Sequence, residues 1–159
     1  MELPKGLRLL TFDREKLGNI WEELRDFCWY LGDGSYSDPV RFTELFFAKD
    51  SVILESDYGY MVLSNIRPGR DAEAHLPFLD HKLSIHTDDV KAAMIWAFIE
   101  FDLVRLEAQV YSFQKAIQRF LREKLGFTYE GRMRRKAFVQ GRFCDVEMYS
   151  ILREEVFNG

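Results

Sequence analysis

Residues Leu103 to Ile151, LVRLEAQVYSFQKAIQRFLREKLGFTYEGRMRRKAFVQGRFCDVEMYSI, read as strand, helix, strand, turn and strand, and they decide how the rest of the chain is placed. At their centre Phe113, Ile117, Phe120, Leu121 and Leu125 recur at the 3.6-residue period, which predicts one apolar helix face. Gly126 ends the helix, because glycine takes the left-handed conformation past a helix end without steric cost, and Lys124 suits the negative end of the helix dipole. Phe127 then restarts the chain as a strand.

Working outward toward the N-terminus, Thr87-Asp88-Asp89 supplies a cap and first-turn acids for a helix running to about Asp102. Val90, Met94, Ala97, Phe98 and Phe101 form one apolar face, and Ile95, Trp96 and Ile99 make the opposite side greasy as well. Burial against both sheet and neighbouring helix explains that second side, and a partner interface such as a homodimer is the alternative. Before it, Ala72 to Leu79 lies between turn signals and reads as a strand, while Ser51 to Glu55 and Tyr58 to Ile66 read as a hairpin joined by a tight Ser-Asp turn. Asp38-Pro39 opens a helix to Lys49, and Asp13 caps an earlier one with Leu17, Ile20, Trp21, Leu24 and Phe27 on one face. Leu7, Leu9 and Thr11, alternating with Arg8, Leu10 and Phe12, suggest a half-buried first strand.

The resulting order, β-α-α-β-β-β-α-β-α-β-β, predicts an α/β or α+β domain with a mixed sheet and a parallel pair wherever a helix intervenes between neighbouring strands. With 159 residues a single domain over 1–159 is expected. A formal charge of −4 gives no global attraction to nucleic acid or anionic lipid, so any anion site must be local. The apolar run Ala92 to Ile99 is far shorter than the ~20 residues of a membrane span. Cys28 and Cys144 are isolated and lack metal-ligand spacing, which together with an N-terminus unlike a secretory signal points to a cytoplasmic protein with free thiols. Arg132, Arg134, Arg135 and Lys136 form a basic run that alternating strand faces would divide.

Glu123-Lys124-Leu125-Gly126-Phe127, then Glu130-Gly131 with Arg134, then Asp145 to Tyr149, together with Arg105 on the preceding strand, resemble the C-terminal half of the GNAT superfamily of N-acetyltransferases. The nearest likeness is to its ribosomal-protein Nα-acetyltransferase branch. About the last third of the chain carries the resemblance in motif, and the remainder in element order. It implies a GNAT-like fold with a splay between the fourth and fifth strands, acetyl-CoA as co-substrate, and a primary amine, either a peptide N-terminus or a small amine, as acceptor. It also implies where the cofactor lies. Pantetheine would run along the fourth strand near Phe78 and Leu79, and the pyrophosphate would meet Lys82, Leu83, Ser84, Ile85, His86 and Thr87, where a helix N-terminus presents unpaired N–H groups. The family's two spaced glycines are absent there, and Lys82 stands at one of their positions. Lys115, with Gln114 beside it, occupies the place of a cofactor-contacting asparagine, and Phe120 and Arg122 stand where many members carry the tyrosine that protonates the leaving thiolate. Tyr111, at the end of the fifth strand, is the substitute candidate for that acid.

Amine acetylation needs a base or a water chain to take the ammonium proton. Glu73 and His75 share one face of the fourth strand by alternate spacing and are the candidates, with a solvated or structurally paired role as the plainer reading of each. His81 and His86 have no third ligand in sight and read as loop histidines, so no metal is expected. The degenerate cofactor loop also fits a second class, a GNAT-fold binding or assembly protein without catalysis. Lys82→Glu reverses the charge at the expected phosphate site, and CoA affinity should fall by at least about tenfold, ~1.4 kcal/mol, in a calorimetric titration. Parental affinity in that variant would show that the phosphates lie elsewhere.

Overall fold

The structure, a computed structural model, describes residues 1–10, 14–24, 40, 49–76 and 87–158. Its strands are β1 (Arg8–Leu9), β2 (Val52–Glu55), β3 (Tyr60–Arg67), β4 (Asp71–His75), β5 (Arg105–Tyr111), β6 (Thr128–Val139) and β7 (Arg142–Leu152). The described helices are α1 (Arg14–Leu24), α2 (Thr87–Glu100), α3 (Lys115–Glu123) and the short α4 (Arg153–Phe157). The strands form one mixed sheet in the order β1-β2-β3-β4-β5-β7-β6. Only β4 and β5 run parallel, as a pair separated by a crossover helix must, and the other neighbours are antiparallel.

Both faces of the sheet are covered, which is why β3 opens on four consecutive apolar residues, Tyr60-Met61-Val62-Leu63, all buried. Met61 and Leu63 face α2, whose Val90, Ala93, Met94, Trp96, Ala97 and Phe98 join Leu106, Ala108 and Val110 of β5 and Phe120 and Leu121 of α3 in the main core. Tyr60 and Val62 face the other way, with Leu10, Ile53 and Ile20 of α1. Phe98, Leu63 and Leu106 are fully buried, and each contributes about 1.5–3 kcal/mol by the area removed from water.

Several local expectations are corrected. Leu9 is exposed while Leu10 is buried, because Leu10, still bonded through its N–H to the Ile53 carbonyl at 2.9 Å, points to the sheet face that packs Ile20, Ile53, Tyr60 and Val62. The β2–β3 turn sits one residue later than the Ser-Asp step: Ser56 N–H donates to the Gly59 carbonyl at 2.9 Å, bracketing Asp57 and Tyr58, and Ser56 Oγ accepts from Tyr58 N–H. The greasy side of α2 is divided, with Trp96 in the core and Ile95 and Ile99 exposed. Phe113 precedes α3 rather than joining its buried face, and it stacks on Tyr111 with centroids 5.5 Å apart. The expected Asp13 cap, Phe27, the helix from Asp38 to Lys49 and the strand continuation to Leu79 fall wholly or largely outside the described residues. No described helix is long and apolar enough to cross a membrane.

The C-terminal β-α-β-β unit is confirmed in detail. Gly126 has φ of +79°, and Phe127 N–H returns to the Leu121 carbonyl at 2.9 Å, so the helix closes through a left-handed residue before β6 begins. Gln140 and Gly141, at φ of 50° and 79°, make the two-residue β6–β7 turn. Arg153 at the start of α4 donates from one Nη1 to the carbonyls of Phe98 and Leu103, satisfying the C-terminal end of α2 with a positive charge. A Cβ at Gly126 would find only an ordinary contact with Ile151, so its cost is backbone strain alone. Gly126→Ala should therefore lower unfolding free energy by about 1 kcal/mol in urea denaturation, with an unchanged dependence on denaturant. No loss of stability would mean that the left-handed closure is dispensable.

Candidate functional site

The pairing of β4 with β5 is short. Asp71, Ala72 and Glu73 lie opposite Arg105, Leu106 and Glu107, and the Glu73–Glu107 rung is the last. Beyond it β4 stays on β3, with Ala74 opposite Leu63 and His75 opposite Val62, while β5 stays on β7 as far as Tyr111 opposite Val146. The two strands therefore part while each remains anchored on its outer side. This is the expected splay, and it leaves main-chain groups of both strands without ladder partners across the gap.

A cavity of about 360 Å³ begins at the same rung, lined by Asp50, Asp71, Glu73 and Glu107 together with Asn65 and Arg67. Glu73 and Glu107 share a face because they are directly paired, and alternation puts Asp71 and His75 on that face too. Arg67 is committed to Asp71 through Nε and Nη2, both at 2.5 Å, and this pairing holds the Asp71 carboxyl below its ordinary range. Asn65 Nδ2 donates to Glu73 at 3.0 Å from a bulged, positive-φ position in β3. Of the four carboxylates in the lining, Asp71 is paired with Arg67 and Glu107 with Arg105 Nε at 2.8 Å, so the remaining charge of Asp50 and Glu73 is what favours a cationic ligand.

His75 lies one alternate position further along β4, at the gap. Its Nε2 is 2.9 Å from Ser64 Oγ. Although the residue as a whole is only half-buried, the surroundings of its ring push the imidazolium pKa from 6.5 to about 4, so the ring is neutral at pH 7.

Across the gap, the end of β5 is tied down by polar side chains. Gln114 Oε1 accepts from Tyr111 N–H at 3.0 Å, and Gln118 Nε2 donates to the carbonyls of Tyr111 and Ser112 at 3.2 and 3.0 Å. Gln118 Oε1 accepts from the Tyr149 hydroxyl at 3.3 Å. Next to them Glu147, almost fully buried, accepts from Ser112 Oγ, Tyr129 OH and Arg132 Nε at 2.8 to 2.9 Å. Burial alone would raise its pKa, but the donors outweigh that and hold it below the ordinary value. On the opposite face Arg105 grips Glu130 with both Nη atoms and Glu107 with Nε, and Ser150 Oγ donates to Glu130. Arg105 above all, and Ser150 after it, bring Glu130 down to about 2.

Of the residues singled out in the sequence, Glu73 and His75 share one face of β4 beside the splay. Tyr111 ends β5, its ring packed with Ala137, Val139 and Val146. Thr87 begins α2, and Lys115 begins α3 with an exposed side chain. Phe78, Leu79, Lys82, Leu83, Ser84, Ile85 and His86, and with them the loop histidine His81, lie outside the described residues. The basic run is divided by a bulge between Met133 and Ala137 as well as by alternation: Arg132 is bound to Glu147, while Arg134, Arg135 and Lys136 are exposed. Asp50, Glu107, Gln118 and Glu147 were not anticipated. A glutamate and a glutamine at positions that the strand and helix periods assign to the core were the available signal for the last two. Among the described residues no group of His, Cys, Asp or Glu side chains is arranged to hold a metal.

No family model and no curated protein matches the chain in sequence. Solved structures do match it. Spermidine N-acetyltransferase from Vibrio cholerae, in complex with CoA and spermine, superposes with a TM-score of 0.73 at 20% identity, covering 98% of this chain and all of that one. A probable acetyltransferase matches with a TM-score of 0.71 at 18% identity, over 98% of this chain and 97% of that one. At this identity the likeness establishes the fold. The chain has the mixed-sheet GNAT fold of these acetyltransferases.

His75 and Glu130, like Asp71 and Glu147, have folded pKa values below their unfolded ones, and the first two have the largest shifts. Their contribution is thus complete above the unfolded pKa and is lost as pH falls through the folded one. For His75 that interval is about 6.5 to 4, with up to about 3 kcal/mol at stake, and for Glu130 about 4.5 to 2. Urea midpoints measured from pH 8 to 3 should decline below 6.5, and His75→Gln should flatten the curve between 6.5 and 4. An unchanged decline in that variant would assign it to another group.

Proposed function

We propose that the chain is an acetyl-CoA-dependent N-acetyltransferase acting on a cationic primary amine. The observation that carries this reading is the coincidence of two features at one rung: at Glu73–Glu107 the strands part, and a carboxylate-lined cavity begins. A parted parallel pair offers free main-chain groups to an extended ligand, as an edge strand does, and the amide-bearing pantetheine arm of acetyl-CoA suits that gap. Carboxylates suit an ammonium, and a neighbour of this fold is described with spermine bound. The acceptor class favoured here is therefore a di- or polyamine, and a peptide N-terminus is the competing acceptor in the panel below.

Acetyl-CoA supplies the activated acyl group. In this reading Glu73 holds the acceptor's charge at the cavity mouth, and His75, neutral and oriented by Ser64, takes the proton as the amine nitrogen forms its bond to the carbonyl carbon. The C–S bond then breaks and the thiolate takes its proton from solvent, because the Tyr111 hydroxyl, the acid candidate from the sequence, is buried with its ring against Ala137, Val139 and Val146.

Calorimetric titration with acetyl-CoA, followed by thiol release over spermidine, spermine, a simple alkylamine and a short peptide, tests the reading. Binding should be seen, and turnover should be fastest with the polyamines. Glu73→Gln should lower kcat/KM for spermidine by about tenfold or more with little change in KM for acetyl-CoA. Absence of CoA binding at millimolar concentration would sink the proposal.

A further inference from the structure

Past the Glu73–Glu107 rung, the first side chains on the cavity face are His75 on β4 and Gln109 on β5, because each lies two residues beyond one of the paired glutamates. Had the ladder continued, these two would have formed its next rung on that face. They border the gap from opposite strands instead. The main chain of Gln109 is fixed from behind, opposite Met148 of β7 in an unbroken run of pairs, and its neighbours Ala108 and Val110 are anchored in the core on the other face. Its side chain differs from the rest of its row. Arg105 holds Glu130 and Glu107, and Tyr111 is buried, whereas Gln109 is exposed and its amide has no hydrogen-bond partner among the described residues. A carboxamide carries an acceptor oxygen as well as donor N–H groups, so a rigid strand presents an unused acceptor across the gap from a neutral imidazole.

We propose that Gln109 binds the acceptor amine and selects primary over secondary amines. This rests on the acetyltransferase reading, with His75 as its base. A neutral primary amine has two N–H groups and one lone pair. With one N–H on His75 and the other on Gln109 Oε1, the lone pair is left pointing along the gap, where the thioester of a cofactor lying between the strands would stand. As the N–C bond forms and the C–S bond breaks, the proton facing His75 passes to the imidazole, and the one on Gln109 stays behind as the N–H of the amide product. A secondary amine has one N–H, which goes to the base, so Gln109 Oε1 loses its partner and meets an alkyl group. Because Gln109 is exposed, water replaces part of the lost bond, and the discrimination is about tenfold rather than the larger factors of a buried polar site.

The test compares thiol release from acetyl-CoA with putrescine and with N,N′-dimethylputrescine, which have the same charge and reach but primary and secondary amino groups respectively. The parent should favour putrescine in kcat/KM by about tenfold or more. Gln109→Met keeps the side-chain length and removes the amide, and at an exposed position its urea midpoint should match the parent's. In that variant kcat/KM for putrescine should fall by about tenfold and the preference should shrink to within about twofold, with KM for acetyl-CoA within about twofold of the parent. Gln109→Glu keeps an acceptor oxygen and should keep the preference. A parental preference in Gln109→Met overturns the proposal, as does an equal loss with both acceptors, which is what a purely structural role would give. Absence of any preference in the parent overturns it too. No thiol release by the parent with either amine, or no binding of acetyl-CoA, instead overturns the acetyltransferase reading beneath it.

Discussion

The separation of β4 from β5 after the Glu73–Glu107 rung is the constraint on which the rest of the structure depends. Parting two strands in the middle of a sheet forfeits ladder bonds on both, and each lost partner is costly wherever water is excluded. The gap persists because neither strand needs the other beyond that rung. β4 is carried by β3 through the Leu63–Ala74 and Val62–His75 pairs, and β5 is carried by β7 through seven consecutive pairs from Leu152 to Val146. The core closes one face beneath both strands, with Leu63, Ala74, Ala108 and Val110 in a single cluster with α2 and α3. The sheet is continuous as a hydrophobic layer and interrupted as a hydrogen-bonded one.

The far wall of the gap is more heavily braced than the near one. Glu147 of β7 draws donors from Ser112 in the β5–α3 turn and from Tyr129 and Arg132 of β6, so one buried carboxylate ties three segments together. Such a group contributes little net stability when every donor is present. It costs several kcal/mol when one partner is removed, because a charge is then left buried and under-satisfied. On the opposite face the Arg105–Glu130 pair, partly exposed and bidentate, adds geometry rather than much energy, since solvent screens it. The near wall has lighter ties, Asn65 to Glu73 and Ser64 to His75, both from the bulged part of β3.

What could be read from the sequence and what could not differ in physical kind. The helix before Gly126, its left-handed closure there and the helix start at Thr87 were legible because each is announced locally, by a 3.6 period, by a residue suited to positive φ, or by a cap with first-turn acids. Phe113 was misplaced onto the helix face because period alone cannot tell a residue packed on Tyr111 just before a helix from one inside it. Glu73 and His75 were brought to the splay by strand alternation, which is again local. The rest of the site is assembled across the chain. Glu147 meets Ser112 over 35 residues, Tyr149 meets Gln118 over 31, and the carboxylates of the cavity come from positions 50, 71, 73 and 107. No spacing rule in one dimension brings those together, because they meet only once the strand order is known.

The carboxylates and the dry imidazole impose opposite demands on an amine, and the fold separates them. Negative charge favours the protonated form of a bound amine, which helps binding and hinders attack, because only the neutral nitrogen is a nucleophile. Burial does the reverse, lowering an ammonium's pKa and making its proton easier to remove. A monoamine held among Asp50, Asp71 and Glu107 would be bound in its unreactive state. On the proposed acetyltransferase reading, an acceptor with two amino groups would escape the conflict. Its distal ammonium would stay charged in the cavity below the last rung, and its reacting nitrogen would pass Glu73 to the side of His75, where the surroundings that hold the imidazole neutral would also favour the neutral amine. The same carboxylates that would inhibit the reaction at the reacting nitrogen would then select the substrate through its other end, with the parting of the strands separating the two environments.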